Sequence, residues 1–428
     1  MKLVHAADLH LDSPLRGLDR YDGAPVDQFR NATRLAMENL VALCLEEEVA
    51  MLLLAGDLYD GSWRDYRTGL FFSQQMSRLR AGGVEVVLIR GNHDAESTVH
   101  KNLPLPDNVR ELSPKRPETV LFESLGLAVH GQSFAQRAVT DDLADRYPAA
   151  VSGLCNIGLL HTSATGRDGH DAYAPCSVET LRNKGYDYWA LGHVHAREVL
   201  STEPWIVFPG NLQGRHARET GPKGATLITV DGGRITGVEA RACDVVRWSQ
   251  LVVDATGAED LDAIADRARA ALESAVADAD GRLLAARLVV SGRSVAHARI
   301  EAEPVAFEAR LRALAADVGD GERVWLEKVR LRTAGELDFD GAADRDDVVG
   351  ELVRALRALP SDPAMCAELC GDLRELGAKL PPELRDGPDS LRLDDPNLVA
   401  SLADELEQLL LPRLLGALPR TRQRPDEP

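Results

Sequence analysis

The chain has 428 residues, 44% of them hydrophobic and 27% charged, a composition that excludes disorder as its main theme. At ~150 residues per domain, the length predicts two or three domains whose cores need no disulfide support. With 68 Asp and Glu against 49 Lys and Arg the net charge is −19, so there is no generic attraction to nucleic acid and a phosphate ligand would need a local positive site.

Met1-Lys2-Leu3-Val4 passes within a few residues into the polar Asp8-Leu9-His10, unlike a secretory signal. No apolar run approaches the ~18 residues of a membrane span, so a cytoplasmic protein without membrane association is expected. Cys44, Cys155, Cys176, Cys243, Cys366 and Cys370 are scattered and read as buried thiols. Cys366 and Cys370 share one helix face, but no further Cys or His lies nearby to complete a metal site.

Residues 1–245 alternate short apolar runs with polar loops. Strands are predicted over Leu3–Ala7, Ala50–Ala55, Val84–Ile89, Leu127–His130, Ile157–Leu160, Tyr188–Leu191, Ile206–Phe208 and Ala225–Val230. Most of these runs are continuous rather than alternating, which suits strands covered on both faces. A helix is predicted over Asp27–Glu48, with Asp27 as N-cap and Phe29, Ala32, Ala36, Leu40 and Leu43 on its apolar side. Asp231-Gly232-Gly233 reads as the turn of a hairpin. After about residue 247 a β-α-β-α-β pattern follows: Leu251–Val253, Asp260–Ala277, Ala286–Val290, Pro304–Ala316 and Val324–Arg330. Helices are then predicted over Asp346–Leu359, Met365–Leu376 and Asn397–Leu415, with a frayed tail from Pro419.

Ligand-type residues recur where five of these strands end: Asp8-Leu9-His10, Gly56-Asp57-Leu58-Tyr59-Asp60, Gly91-Asn92-His93-Asp94, His161-Thr162 and Gly192-His193-Val194-His195. Positions i and i+2 of a strand share a side, so Asp8 with His10, and His193 with His195, can reach one site. Asp8, Asp57, Asn92, His10, His161, His193 and His195 form a mixed oxygen and nitrogen set without thiolate, suited to Mn²⁺, Fe or Zn²⁺. A single ion needs fewer ligands; two ions ~3.5–4 Å apart would use them all.

These motifs, in this order, resemble the calcineurin-like metallophosphoesterases. Within that superfamily, Val4 to Asp12 and the block Pro209-Gly210-Asn211-Leu212-Gln213-Gly214-Arg215-His216 are similar to the SbcD/Mre group of DNA-repair nucleases. The resemblance is nearest to its bacterial YhaO-like branch, which Gly169 to Cys176 also resembles. It implies a four-layer αββα sandwich over 1–247; the pattern of runs adds a small α/β cap over 248–333, to which the resemblance extends loosely, and beyond it a helical region over 334–418 and a flexible tail over 419–428.

By the same resemblance one ion would be held by Asp8, His10, Asp57 and His195, and the other by Asp57, Asn92, His161 and His193, with Asp57 as bridge. The ions, Mn²⁺ foremost, would acidify a water for in-line attack on phosphorus. His93 is not among these ligands and is left to protonate the leaving oxygen or to stabilise the transition state. Archaeal and eukaryotic members carry a His where this chain has Asp60, so Asp60 or Asp94 is expected to orient His93.

Other residues admit two readings. His5 and His130 read as structural. Arg215 and His216 either reach substrate phosphates or lie on a loop surface. Trp63, Arg64, Tyr66 and Arg67 either meet the substrate or begin a packed helix. Leu398, Leu402, Leu406, Leu409 and Leu410 form either core or a docking face, since relatives attach to an SMC-like (SbcC-type) ATPase through C-terminal helices and pair as homodimers. The expected function is hydrolysis of DNA phosphodiester bonds; the alternative is a phosphatase or phosphodiesterase for a small nucleotide, which would share every ligand.

Overall fold

In the first strand Leu3 and Val4 are both wholly buried, yet they enter different cores. Neighbouring side chains of a strand point to opposite faces, so a run with no polar position must be covered on both. The computed structural model describes every residue except 14–24, 61–65, 97–104, 165–173, 336–340, 381–392, 394, 404–405, 408–409, 412–413 and 415–428.

One six-stranded sheet contains β1 (Lys2–Ala6), β2 (Met51–Ala55), β3 (Glu85–Ile89) and β4 (Val109–Glu111) in parallel, joined at β1 by antiparallel strands 224–231 and 234–242. The second contains β5 (Glu118–Phe122), β6 (Leu127–Gly131), β7 (Cys155–His161), β8 (Tyr188–Gly192), β9 (Glu198–Thr202) and β10 (Trp205–Phe208), ordered β5-β6-β7-β8-β10-β9. Those outer strands of the first sheet are β11 (Gly224–Asp231) and β12 (Arg234–Ala242).

Leu3, Met51, Leu53, Val87 and Ile89 of the first sheet share one core with Leu127, Val129, Ile157, Leu159 and Val207 of the second. On the outer side Val4, Leu52, Leu54, Val86 and Leu88 meet Ala36, Met37 and Leu40 of α1 (Val26–Glu46) and Phe72, Met76 and Leu79 of α2 (Tyr66–Ala81). The outer side of the second sheet buries Leu160, Trp189, Leu191, Ile206 and Phe208 with Leu181 of α3 (Val178–Asn183). The result is the four-layer αββα sandwich. Full burial of a Val, Leu or Ile side chain contributes roughly 1.5–3 kcal/mol, and β1, β2, β3 and β7 each place at least one on either face.

Several local expectations are corrected. Asp27 is not the N-cap of α1: Pro25 holds that position without a side-chain cap, and Asp27 lies in the first turn, where its charge faces the positive helix end. Strands β4, β5 and β9 were not expected; all lie at or next to sheet edges and carry exposed residues. The hairpin turn is as expected, with Gly232 and Gly233 at φ 55° and 77°.

Further along come β13 (Val246–Asp254), α4 (Leu261–Asp278), β14 (Leu283–Arg293), α5 (His297–Ala302), α6 (Pro304–Val318) and β15 (Val324–Ala334), the strands forming a sheet in the order β13-β14-β15. The chain divides into two compact units. The first is Met1–Val253 with Asp266–Val289 and Glu308–Arg330; in it Trp248 and Trp325 pack on Phe29, Ala32 and Ala217. The second is Asp254–Ala265 with Val290–Phe307 and Leu331–Pro428. It contains α7 (Val348–Ala358), α8 (Pro363–Ala378) and α9 (Pro396–Ser401), with a core of Leu356, Leu359, Cys366 and Ala403 against which Leu406 and Leu410 pack. Leu409 and the tail from Pro419 lie outside the described residues. All six cysteines are buried. Among the described residues no helix is long and apolar enough to cross a membrane.

Candidate metal centre

The five motifs meet where β1, β2, β3, β7 and β8 end. The loops after β1 and β2 run side by side: Asp8 N donates to Gly56 O at 3.0 Å, His10 N to Asp57 O at 3.0 Å and Leu11 N to Leu58 O at 2.9 Å. Asp8, His10, Asp57 and His193 take positive φ values of 52°, 43°, 55° and 101°, conformations that non-glycine residues rarely adopt. Close approach is enforced by Gly91, where a Cβ would sit 2.2 Å from Asp57 Oδ1, and by Gly192, where it would sit 1.9 Å from Ala55 O.

Among the described residues three groups of ligand atoms lie close enough to hold an ion, and two of them consist of expected ligands: Asp8, His10 and His195, and Asp57, His161 and His193. In the first, His10 Nε2 and His195 Nε2 face each other at 3.2 Å, with Asp8 Oδ1 3.8 Å from His195 Nε2. In the second, Asn92 Oδ1 lies 2.9 Å from His161 Nε2 and 3.3 Å from His193 Nδ1. Asp57 Oδ2 stands between the groups, 3.4 Å from His161 Nε2 and 3.9 Å from His10 Nε2. The seven side chains expected as ligands are thus brought together. His161 Nδ1 donates to Ala55 O at 2.9 Å, which leaves its Nε2 lone pair facing inward.

The electrostatics are those of a buried centre. Burial raises the Asp8 carboxyl to about 6, against the nearby His195 and His161. Burial would raise Asp57 too, but the charge and hydrogen bond of His161, with His10 and His93, hold it well below the usual carboxylate range. His161 is lowered by burial and raised more by Asp57, to about 9. Burial and then Arg215 push His10 well below the ordinary imidazole value, and its Nδ1 is buried without a hydrogen-bond partner among the described residues, 3.7 Å from Asp60 Oδ1. Carboxylate, amide and imidazole donors converging without thiolate, with two Nε2 atoms in apposition, fit a pair of divalent cations of the Mn²⁺, Fe or Zn²⁺ kind.

His93 sits beside this centre. Its backbone N donates to Asp57 Oδ1 at 2.9 Å, and its Nδ1 lies 3.0 Å from Asp60 Oδ1, which raises its pKa. His10, Asp60 and His93 form a third close group. Of the two carboxylates expected to orient His93, Asp60 is in contact with its Nδ1. Asp94 accepts from the backbone N–H groups of Leu58, Tyr59 and Gly91 at 3.1, 2.9 and 3.1 Å, bracing two of the loops together.

Arg215 reaches the rim, with Nη2 3.4 Å from His195 Nδ1 and Nη1 donating to Ser13 Oγ at 3.4 Å. His216 is 57% exposed, its Nε2 3.6 Å from Glu219 Oε1. Arg64 and Trp63 lie outside the described residues. His5 and His130 are buried in hydrogen bonds away from the cluster, to Tyr188 and Leu191 O, and to Thr119 and Asn156.

Sequence reasoning missed Glu219. Its Oε1 is 2.7 Å from His195 Nδ1, and its Oε2 accepts from Arg215 N at 2.7 Å and Asn211 Nδ2 at 2.9 Å. Burial opposes its ionisation, but His195 and Arg215 outweigh this and hold the carboxyl well below the usual range. The only sequence signal was its place three residues after the Pro209–His216 block.

Residues 1–197 match the family described as calcineurin-like phosphoesterase, and residues 248–334 match that described as metallophosphoesterase YhaO, middle domain. The chain is 38% identical over 268 residues to the uncharacterized metallophosphoesterase YhaO of Bacillus subtilis (strain 168), covering 62% of this chain and 65% of that protein. It is 27% identical over 295 residues to the DNA double-strand break repair protein Mre11 of Methanopyrus kandleri, covering 60% of each. With the protein of the same name from Haloferax volcanii it is 24% identical over 433 residues, covering 92% of this chain and 83% of that one. The chain therefore spans less than two thirds of the length of the first two relatives. Residues 1–197, which hold every clustered ligand-type side chain from Asp8 to His195, are thus a calcineurin-like metallophosphoesterase domain.

Proposed function

We propose that this protein is a phosphoesterase that hydrolyses phosphodiester bonds of DNA in repair. In this reading one ion is held by Asp8, His10, Asp57 and His195, the other by Asp57, Asn92, His161 and His193, with Mn²⁺ the activating metal. The observation that carries it is Asp57 Oδ2 standing between His10 Nε2 and His161 Nε2, one from each ligand group. When bound, such ions acidify a water and offset charge on phosphoryl oxygens.

The protein's own groups do the rest. Asp60, 3.0 Å from His93 Nδ1, raises the pKa of that imidazole, which favours the protonated form that can give a proton to the leaving oxygen. The bond from His93 N to Asp57 Oδ1 ties this acid to the bridging carboxylate. Arg215 at the rim supplies the local positive charge that a phosphate needs in a protein of net charge −19. DNA as substrate is supported by the two relatives described as double-strand break repair proteins. A cytoplasmic location, homodimer formation and an SMC-like ATPase partner at the C-terminal helices belong to the same reading.

A second reading, a small nucleotide ester as substrate, is favoured by the net charge. Assaying duplex DNA, single strands and small phosphate esters side by side with Mn²⁺ separates the two. Cleavage of DNA is expected; turnover of small esters alone would reject the nuclease.

A further inference from the structure

His195 Nδ1 has two neighbours that make opposite demands. Glu219 Oε1, at 2.7 Å, can only accept, so it requires a proton on Nδ1. Arg215 Nη2, at 3.4 Å, can only donate, so it requires a lone pair there. A neutral imidazole carries one proton, and its position decides what the other nitrogen offers. With the proton on Nδ1, the Nε2 lone pair faces His10 Nε2 at 3.2 Å and can take an ion. With the proton on Nε2 it cannot.

We propose that Glu219 is a positioning residue that holds His195 in the Nδ1–H tautomer against Arg215, keeping Nε2 available to an ion. The proposal rests on the reading of His195 as a ligand. Three features of the geometry support it. The carboxylate contact is the shorter by 0.7 Å, taking 2.7 against 3.4 Å. Glu219 is only 8% exposed, so water does not compete freely for its oxygens. Its other oxygen is committed to two donors, Arg215 N and Asn211 Nδ2, while Oε1 has His195 Nδ1 at 2.7 Å, nearer than His216 Nε2 at 3.6 Å and Arg215 Nη2 at 3.7 Å. One carboxylate thereby fixes both a candidate ligand and the backbone of the loop that carries Arg215.

The nearly isosteric E219Q is the informative variant. Two donors at the Oε2 position retain the amide oxygen there, which turns the amide NH₂ toward His195 Nδ1. Both neighbours of Nδ1 are then donors, and the tautomer should invert.

The test combines two measurements on the full chain. Imidazole ¹⁵N spectra of the metal-free protein, at about pH 8.5 where an ordinary imidazole is neutral, report the tautomer directly. Mn²⁺ isotherms report the two affinities. We expect Nδ1–H in the wild type, Nε2–H in E219Q, and one ion of the two bound about 10–100-fold more weakly in E219Q. Replacing Arg215 by Ala in the E219Q background should recover part of that loss by removing the competing donor. An Nε2–H tautomer in the wild type overturns the proposal without any variant, as does E219Q binding both ions like the wild type. If the wild type binds no Mn²⁺, the metal reading falls, and the tautomer spectra still decide the part played by Glu219.

Discussion

His93 and Asp60 face each other at 3.0 Å, next to a cluster whose members are otherwise disposed to hold ions. His93→Ala should therefore leave Mn²⁺ stoichiometry intact and lower kcat by about 10²–10⁴-fold, read from metal analysis and turnover on the same preparation. Unchanged turnover would remove His93 from the chemistry. His161 makes a different prediction. Its folded pKa is raised from 6.5 to about 9, so in the ion-free protein its imidazolium stabilises the fold fully below 6.5, and that contribution is lost as pH rises through about 9. An ion needs the same Nε2 lone pair and must displace the proton. Apparent Mn²⁺ affinity should rise about tenfold per pH unit up to about pH 9 and then level, and a flat isotherm series would contradict this. The ligand-type residues were legible because each sits within four positions of the end of an apolar run. Glu219 was not, because its contacts are made by a loop folding back on itself, without periodicity to mark it.

Among the elements, the strand ends set the centre's dimensions. Gly192 closes β8, and a Cβ there would sit 1.9 Å from Ala55 O and 2.9 Å from His161 Nδ1, the two partners of one hydrogen bond. Gly192→Ala should cost on the order of 3 kcal/mol through overpacking. The denaturant midpoint should fall with the slope unchanged. A variant of wild-type stability would mean that the β8 end can shift without disturbing His161. The central strands could be read from sequence because burial on both faces leaves few polar positions, His5 and Asn156 among them. β5 escaped notice because Glu118 and Leu121 are exposed at the edge of its sheet, which erases the apolar run. The α1 start was misplaced because Asp27 has the chemistry of a cap but lies one position inside the helix.

For the whole molecule, ion binding and folding should be linked. Buried Asp8 and Asp57 keep their carboxylates out of water, and ions that bind only the folded state stabilise it by mass action. Mn²⁺ at about 100 times its Kd should add about 2.7 kcal/mol, reversed by EDTA, and a melting temperature indifferent to both would argue against a loaded centre. The net charge shapes the substrate question at the same scale: attraction to a polyanion must come from a few groups such as Arg215, so the salt dependence of DNA binding should be shallow. The fold class could be read from the order of runs and motifs, while the pairing of sheets could not, because it joins segments far apart in the chain.

That long-range pairing has a consequence for synthesis. Strand β1, which leads directly to Asp8 and His10, is hydrogen-bonded on one side to β2 and on the other to β11. A ribosome delivers β1 well before β11, so the nascent polypeptide exposes an unfilled sheet edge beside its first ligands until Gly224–Asp231 has emerged. Metallation should accordingly be a late event, completed after β11 has left the exit tunnel.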